Sequence, residues 1–166
     1  RCLFVDEINL SDVIPNNLVI LNHEPFQCKE KMFDILSKKF ESSGIVSDAN
    51  AFKQSLEYRE TLGSTYMEKL IALPHGRCRE VLKPGMAFCR CSDVFPYESH
   101  TELGDVKYIF MLAIIENDES EDHLRILAKL ARLLINDDFV KSLEYISNYH
   151  EFIELIENTK TCTDDF

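Results

Sequence analysis

Three side chains stand where their type and position could support chemistry: Arg59, His75 and His123. Arg59 continues the predicted inward face of a helix at the end of that helix. His75 lies in a Pro-His-Gly sequence at the end of a short apolar strand, and His123 falls in the first turn of a later helix, on its buried side. Because strand and helix ends in an α/β layer tend to meet at one rim, we expect the three to share a site.

This combination suits the binding and transfer of a phosphoryl group. First-turn N–H groups and the helix dipole favour an anion beside His123. A free imidazole titrates near pH 6.5, so His75 is predicted to be largely neutral and nucleophilic, which makes it the candidate phosphoryl acceptor. Arg59 can offer a bidentate fork to phosphate oxygens, and a neutral His123 ring can donate one N–H. Phosphoryl transfer depends mainly on such positioning and charge stabilisation.

Spacing alone leaves a plainer interpretation of each residue open. His75 can be a loop histidine, His123 a half-buried neighbour of a helix cap, and Arg59 an ion-pair anchor. A Ser or Cys hydrolase is less well supported, because the chain contains no G-x-S-x-G and Cys78 has no evident paired base.

A zinc site is the competing arrangement, formed by His75, Cys78, Cys89, Cys91 and His100. Structural zinc sites usually show C-x₂₋₄-C spacing, which the Cys89-x-Cys91 pair lacks. On a strand both sulfurs point to one face, where we expect them to be small core residues.

Hydrophobic periodicity predicts the elements that position these residues. Helices are expected at 27–43, 48–62, 121–135, 138–147 and 149–157, and strands at 18–21, 71–73, 85–91 and 106–115. Ser47-Asp48 is the predicted cap of the second helix and Gly63 its stop, while Ser120 is the predicted N-cap of the third. The third helix is expected to turn five residues inward: Leu124, Leu127, Leu130, Ala131 and Leu134. Helices interspersed with apolar strands indicate an α/β layered domain with its sheet covered on both faces.

Composition limits the possible functions. A chain of 166 residues with 45% apolar content indicates one globular domain. The formal net charge of −11 argues against a nucleic-acid binder. It favours a partner with a basic face, although solubility alone would explain the same charge. The longest apolar run, Tyr108–Ile115, is too short to cross a bilayer, and the N-terminus does not read as a signal peptide. Six scattered cysteines are expected to be reduced and intracellular.

Three motifs resemble one known family. They are R-E-x-L-G-S-T at 59–65, I-A-x-P-H-G at 71–76 and H-L-x-x-L-A-x-L-A at 123–131. Together they are similar to the enzyme IIA domain of the bacterial sugar phosphotransferase system (PTS), in its fructose–mannitol branch. The likeness covers about residues 10–157 of a predicted single domain 1–166, followed by a polar tail at 158–166. Tyr66–Lys69, after the G-S-T, looks closer to the mannitol branch.

The resemblance implies a cytoplasmic phosphorelay. The histidine carrier protein HPr donates a phosphoryl group to His75, which passes it to an enzyme IIB domain and finally to sugar entering through a membrane IIC component. The family's supporting residues map onto His123 and Arg59. The implied fold is a central mixed sheet between helices, a three-layer α/β/α sandwich, with no metal or organic cofactor and no membrane insertion. IIB, IIC or regulator domains can be fused or associated. The alternative is a regulatory IIA-like module of a PTS-controlled transcription regulator or antiterminator, in which phosphorylation of His75 is a signal.

Overall fold

The computed structural model describes residues 8–98 and 103–160, which form two compact units. One unit spans Ile14–Asn117 and contains the sheet with two α-helices; the other combines residues 8–13 with the α-helices after 118. The α-helices are α1 (Lys29–Ser42), α2 (Ala49–Thr61), α3 (Asp122–Ile135), α4 (Asp137–Ser142) and α5 (Tyr149–Asn158). The strands are β1 (Val19–His23), β2 (Ile71–Ala72), β3 (His75–Cys78), β4 (Gly85–Glu98) and β5 (Leu103–Ile115). No helix in the described ranges is long and apolar enough to span a membrane.

The sheet is mixed. Its order is β1-β4-β5-β2, with β3 also paired to β5. The long strands β4 and β5 are antiparallel to each other, whereas β1 runs parallel to β4 and both short strands run parallel to β5. The predicted α/β class, a mixed sheet flanked by helices, is confirmed, and β5 is central and largely buried as its apolar run predicted.

The short strand before Pro74 ends at Ala72, close to its predicted end, but the pairing with β5 resumes after the proline in the same register. Ala72 pairs with Ile109 and His75 with Leu112, so the same register against β5 continues across the proline. Proline cannot donate a backbone hydrogen bond, but its carbonyl still accepts one, here from the Leu112 N–H at 3.0 Å. His75 is therefore the first residue of β3, held by a long neighbouring strand.

Helix α2 packs directly against β3. Its N-cap is Asp48, as predicted, whose side chain accepts from the N–H groups of Asn50 and Ala51. The buried residues of the helix are Phe52, Leu56 and Glu60. Phe52 and Leu56 join the core of this unit together with side chains from α1, β4 and β5. Because these buried residues recur every four positions, the end of the helix lies against the residues around His75.

We expect Gly76→Ala to destabilise the protein, because α2 leaves no room for a side chain after His75. A Cβ at position 76 would overlap the Ser55 hydroxyl and lie 2.8 Å from a ring carbon of Phe52. Overpacking of this kind typically costs about 1–3 kcal/mol of unfolding free energy, which thermal or urea denaturation would measure. The double variant Ser55→Ala/Gly76→Ala should regain part of the loss. A Gly76→Ala protein as stable as the wild type would contradict this packing.

The helical unit differs from its prediction in two details. The N-cap of α3 is Glu121, in a left-handed conformation, rather than Ser120; the Ser120 hydroxyl accepts from the first helical N–H at 3.3 Å instead. Leu124 was expected inward but is 52% exposed. The buried residues of α3 are Ile126, Leu130, Leu133 and Leu134. The buried stripe is thus offset from the predicted one, although Leu130 and Leu134 belong to both.

Candidate functional site

Arg59 and His75 form a direct pair. The Arg59 Nε donates to His75 Nε2 at 3.0 Å, and Arg59 Nη1 donates to the Gly63 carbonyl at 2.9 Å. Both side chains are half-buried, one at the end of α2 and the other at the start of β3. The structure therefore brings together two of the three residues that the sequence singled out.

Hydrogen-bond partners define the state of the His75 ring. The Leu73 carbonyl, 3.2 Å from Nδ1, can only accept, so Nδ1 carries the proton in this bond. The Arg59 guanidinium can only donate, so Nε2 presents its lone pair. The arrangement selects the neutral Nδ1–H tautomer, with Nε2 as the nucleophilic nitrogen beside a fixed cation.

Glu60, the residue after Arg59 on α2, is the centre of a buried polar cluster. The Glu60 carboxylate accepts from the Thr65 hydroxyl, from Tyr97 Oη at 3.3 Å and from Lys29 Nζ at 3.2 Å. Burial, together with the Glu60 charge, raises the pKa of Tyr97 well above its usual value, so the phenol keeps its proton for donation. This cluster was not predicted from the sequence, although Glu60 continues the four-residue steps of Phe52 and Leu56.

The segment that joins α2 to β3 is a narrow hairpin. Tyr66 bridges to Ala72 in antiparallel fashion, and the Thr65 carbonyl accepts from the Leu73 N–H at 2.9 Å. Its tip contains two consecutive non-glycine residues with positive φ, Lys69 at 63° and Leu70 at 65°. Such conformations are costly for residues with a side chain and occur where the surroundings over-determine them. The hairpin thus presents the Leu73 carbonyl to His75 on a constrained backbone.

His123 belongs to the other unit, in the first turn of α3 as predicted. Its side chain is 15% exposed, and its Nδ1 lies 3.8 Å from an oxygen of Asp118. The Ser120 hydroxyl, and to a lesser degree His123, lowers the pKa of Asp118, so this carboxylate is charged at neutral pH. Asp118 was not among the residues predicted from the sequence. The participation of His123 in a site with His75 and Arg59 stays a prediction.

Comparison with known proteins identifies the family. Residues 12–159 match the family model described as "Phosphoenolpyruvate-dependent sugar phosphotransferase system, EIIA 2". The chain belongs to this enzyme IIA family. The resemblance that the three motifs indicated is therefore confirmed, and the members of the family are phosphotransferase components.

Relatives of this enzyme IIA chain include two fructose-specific proteins. It is 30% identical to the fructose-specific EIIA component of Haloferax volcanii, over 84% of this chain and 88% of that protein. It is 28% identical to the fructose-specific EIIABC component of Bacillus subtilis, over 90% of this chain but 23% of that protein. The chain thus spans about a quarter of the longer relative.

The fold of this enzyme IIA chain is shared with solved structures. One is the nitrogen regulatory protein IIA-Ntr from Neisseria meningitidis, with a TM-score of 0.74 and 26% identity, which covers 87% of this chain and 97% of that one. The predicted sheet-and-helix architecture and the family assignment therefore agree.

The competing zinc site finds no support among the described residues. Within 8–98 and 103–160, no three histidine, cysteine or acidic side chains are grouped so that they could hold a metal ion. Cys89 and Cys91 are 0% and 1% exposed and belong to the hydrophobic core, as their shared strand face predicted. Burial raises the pKa of the Cys78 thiol. The remaining candidate ligand, His100, lies outside the described residues.

Proposed function

We propose that this chain is a phosphocarrier of the PEP-dependent sugar phosphotransferase system and that Nε2 of His75 is the phosphoryl acceptor. The observation that carries the proposal is the Arg59–His75 pair, in which a lone pair is directed at a guanidinium anchored on Gly63. An incoming phosphoryl group gives Arg59 a stronger, anionic acceptor than a ring nitrogen. The guanidinium then donates to the phosphoryl oxygens instead of Nε2. This frees the Nε2 lone pair to attack phosphorus and places the cation beside the negative charge that develops on the phosphoryl oxygens.

The ring hydrogen bond supports reversible transfer. The Nε2 lone pair of His75 forms the new N–P bond while the N–P bond of the donor phosphohistidine breaks and its electron pair returns to the donor ring. Nδ1 keeps its proton and donates it in a hydrogen bond to the Leu73 carbonyl, so the phosphorylated His75 ring carries positive charge. A cationic ring is a good leaving group, so the phosphoryl group can move on to the next acceptor.

The proposed donor is phosphorylated HPr and the proposed acceptor is an enzyme IIB domain, in the cytoplasm. The name of the Bacillus subtilis relative, an EIIABC component, joins the IIA designation to those of IIB and IIC. Tyr58 and Leu62, which lie on either side of Arg59, are each 67% exposed and offer an apolar rim for two partners in turn. The acidic balance of the chain favours partners with basic faces.

Incubation of the chain with phosphorylated HPr tests this proposal. We expect one phosphoryl group per chain, acid-labile and alkali-stable as a phosphohistidine is, and discharge of the label when a IIB domain is added. Failure of the wild-type chain to take up label from phosphorylated HPr would contradict the phosphocarrier function.

The regulatory alternative is not favoured. The sequence relatives described above carry the names of transport components, whereas a regulatory name belongs to a structural neighbour. Both functions use the same phosphorylation of His75, so the discharge step separates them. A chain that accepts phosphate from HPr and never passes it to any IIB domain would support a signalling role.

We expect His123→Ala to leave the fold intact and to slow transfer about 10²-fold, the scale of losing one donor to a transition-state oxygen. The measurement is the rate of labelling by phosphorylated HPr, with melting temperature as the control for folding. A wild-type rate in this variant would show that His123 only packs at the start of α3.

A further inference from the structure

The hydrogen bonds around His75 and Arg59 converge on one short segment. Gly63 provides the carbonyl that anchors Arg59, and Leu73 provides the carbonyl that orients the His75 ring. Both residues lie in or beside the hairpin that starts at Thr65, whose own carbonyl accepts from the Leu73 N–H at 2.9 Å. The position of this segment therefore sets the geometry of both functional side chains.

Thr65 is the point at which the segment is tied to the core. The residue is 6% exposed, and its hydroxyl donates to the Glu60 carboxylate and lies 2.7 Å from Tyr97 Oη. Glu60 is next to Arg59 on α2, and Tyr97 lies on β4. One hydroxyl thus connects the helix that bears the arginine, the sheet and the hairpin that holds the histidine.

The Glu60 carboxylate is itself fixed in place. Its side chain is 6% exposed, and its second oxygen accepts from Lys29 Nζ at 3.2 Å. The same ammonium donates to the Glu98 carbonyl at 2.6 Å and lies 5.2 Å from the centre of the Tyr97 ring. A buried carboxylate that accepts from three donors holds its partners rigidly, because each of its bonds is expensive to leave unmade.

We propose that Glu60 and Thr65 are positioning residues of the phosphoryl-transfer site. They do not touch the phosphoryl group; they hold the Gly63 and Leu73 carbonyls where Arg59 and the Nδ1–H tautomer of His75 need them. This inference rests on the proposed function for its kinetic consequence, but the ring geometry it describes is independent of any donor. Small displacements of catalytic groups are costly, since a shift of about 1 Å can reduce a rate on the order of 10²-fold.

The matched pair Thr65→Val and Thr65→Ser tests the proposal in the full chain. Valine has the shape of threonine without the hydroxyl, whereas serine keeps the hydroxyl. We expect Thr65→Val to lower the single-turnover rate constant at saturating phosphorylated HPr by about tenfold or more, with the half-saturating HPr concentration unchanged because the Thr65 side chain is buried, at 6% exposed. Thr65→Ser should restore the rate, and Glu60→Gln should behave like Thr65→Val.

A second readout reports on the ring alone. In ¹⁵N-labelled protein, proton–nitrogen correlations of the His75 ring should show a protonated Nδ1 and an unprotonated Nε2 in the wild type and in Thr65→Ser. In Thr65→Val the two nitrogens should shift towards a mixture of tautomers. Leu36→Ala, a core truncation on α1 outside the cluster, should lower the melting temperature while both the ring signals and the rate constant stay as in the wild type.

The outcomes distinguish the positioning role of Glu60 and Thr65 from the proposed phosphocarrier function. Wild-type ring signals and rate in Thr65→Val, or a Thr65→Ser protein as impaired as Thr65→Val, would overturn the positioning role. An equal loss of rate in Leu36→Ala would also overturn it, because general destabilisation would then explain the effect. If the wild-type chain takes no phosphate from HPr, the proposed function fails, and the ring signals alone decide whether Glu60 and Thr65 position His75.

Discussion

His75→Ala is expected to abolish labelling by phosphorylated HPr, because no other side chain presents a lone pair to the Arg59 guanidinium in the described structure. The loss should be complete rather than partial, since removal of a nucleophile removes the covalent intermediate itself. The measurement is retention of radioactive phosphate on the purified chain after incubation with the donor. The replacement leaves the pairing of β3 with β5 in place, so we expect a folded protein with an unchanged circular dichroism spectrum.

His150→Ala is the matched control for this result. His150 is an exposed histidine on α5, paired with Glu154 at 3.0 Å, and its loss should leave labelling unchanged. Cys78→Ser serves as a second control, because Cys78 ends the same strand and is the nearest alternative nucleophile in sequence. Undiminished label in His75→Ala, or loss of label in Cys78→Ser alone, would refute the assignment.

Arg59→Ala is expected to reduce the rate of phosphoryl transfer to His75 by about 10²–10³-fold, the usual cost of removing a preorganised donor at developing charge. Arg59→Lys should regain little of this. A lysine ammonium is a point charge without the rigid fork, so it cannot reproduce the geometry in which Nε faces His75 while Nη1 is held by Gly63. Rapid-quench measurement of single-turnover labelling would give both rates.

Arg77→Lys controls for the loss of a guanidinium in general. Arg77 lies two residues beyond His75 on the same strand, but it is exposed and donates to the Glu116 carbonyl at 3.0 and 2.8 Å. Its replacement should leave the labelling rate unchanged. A wild-type rate in Arg59→Lys would show that charge alone is needed, and a wild-type rate in Arg59→Ala would remove Arg59 from the site.

Elements defined by local signals were predictable from the sequence. Asp48 and Gly63 bracket α2 because an aspartate side chain can satisfy first-turn N–H groups and a glycine tolerates positive φ, here 151°. The apolar run of β5 required a covered position, which it has at the centre of the sheet. Arg59 and His75 were also expected to lie close together, because one ends a helix and the other follows a strand.

Other features depend on contacts that no local pattern reveals. Pro74 reads as a strand terminator, yet a register set by β5 continues across it. The partner of Glu60 on β4, Tyr97, lies 37 residues further along the chain, so no local pattern reveals their contact. Leu124 belonged to a plausible helical stripe, but burial in α3 follows a neighbouring one that includes Ile126. In each case tertiary packing, rather than local preference, determined the outcome.

The unbroken register of β2 and β3 against β5 has a kinetic meaning. The backbone of His75 is fixed by the neighbouring strand, so the histidine cannot move between two separate partner sites. A carrier on a flexible arm could do so. In the proposed relay the donor and the acceptor must therefore approach the same nitrogen from the same side, and each excludes the other. Phosphorylation of His75 by the donor and its dephosphorylation by the acceptor are then alternating half-reactions. An excess of either partner delays the binding of the other.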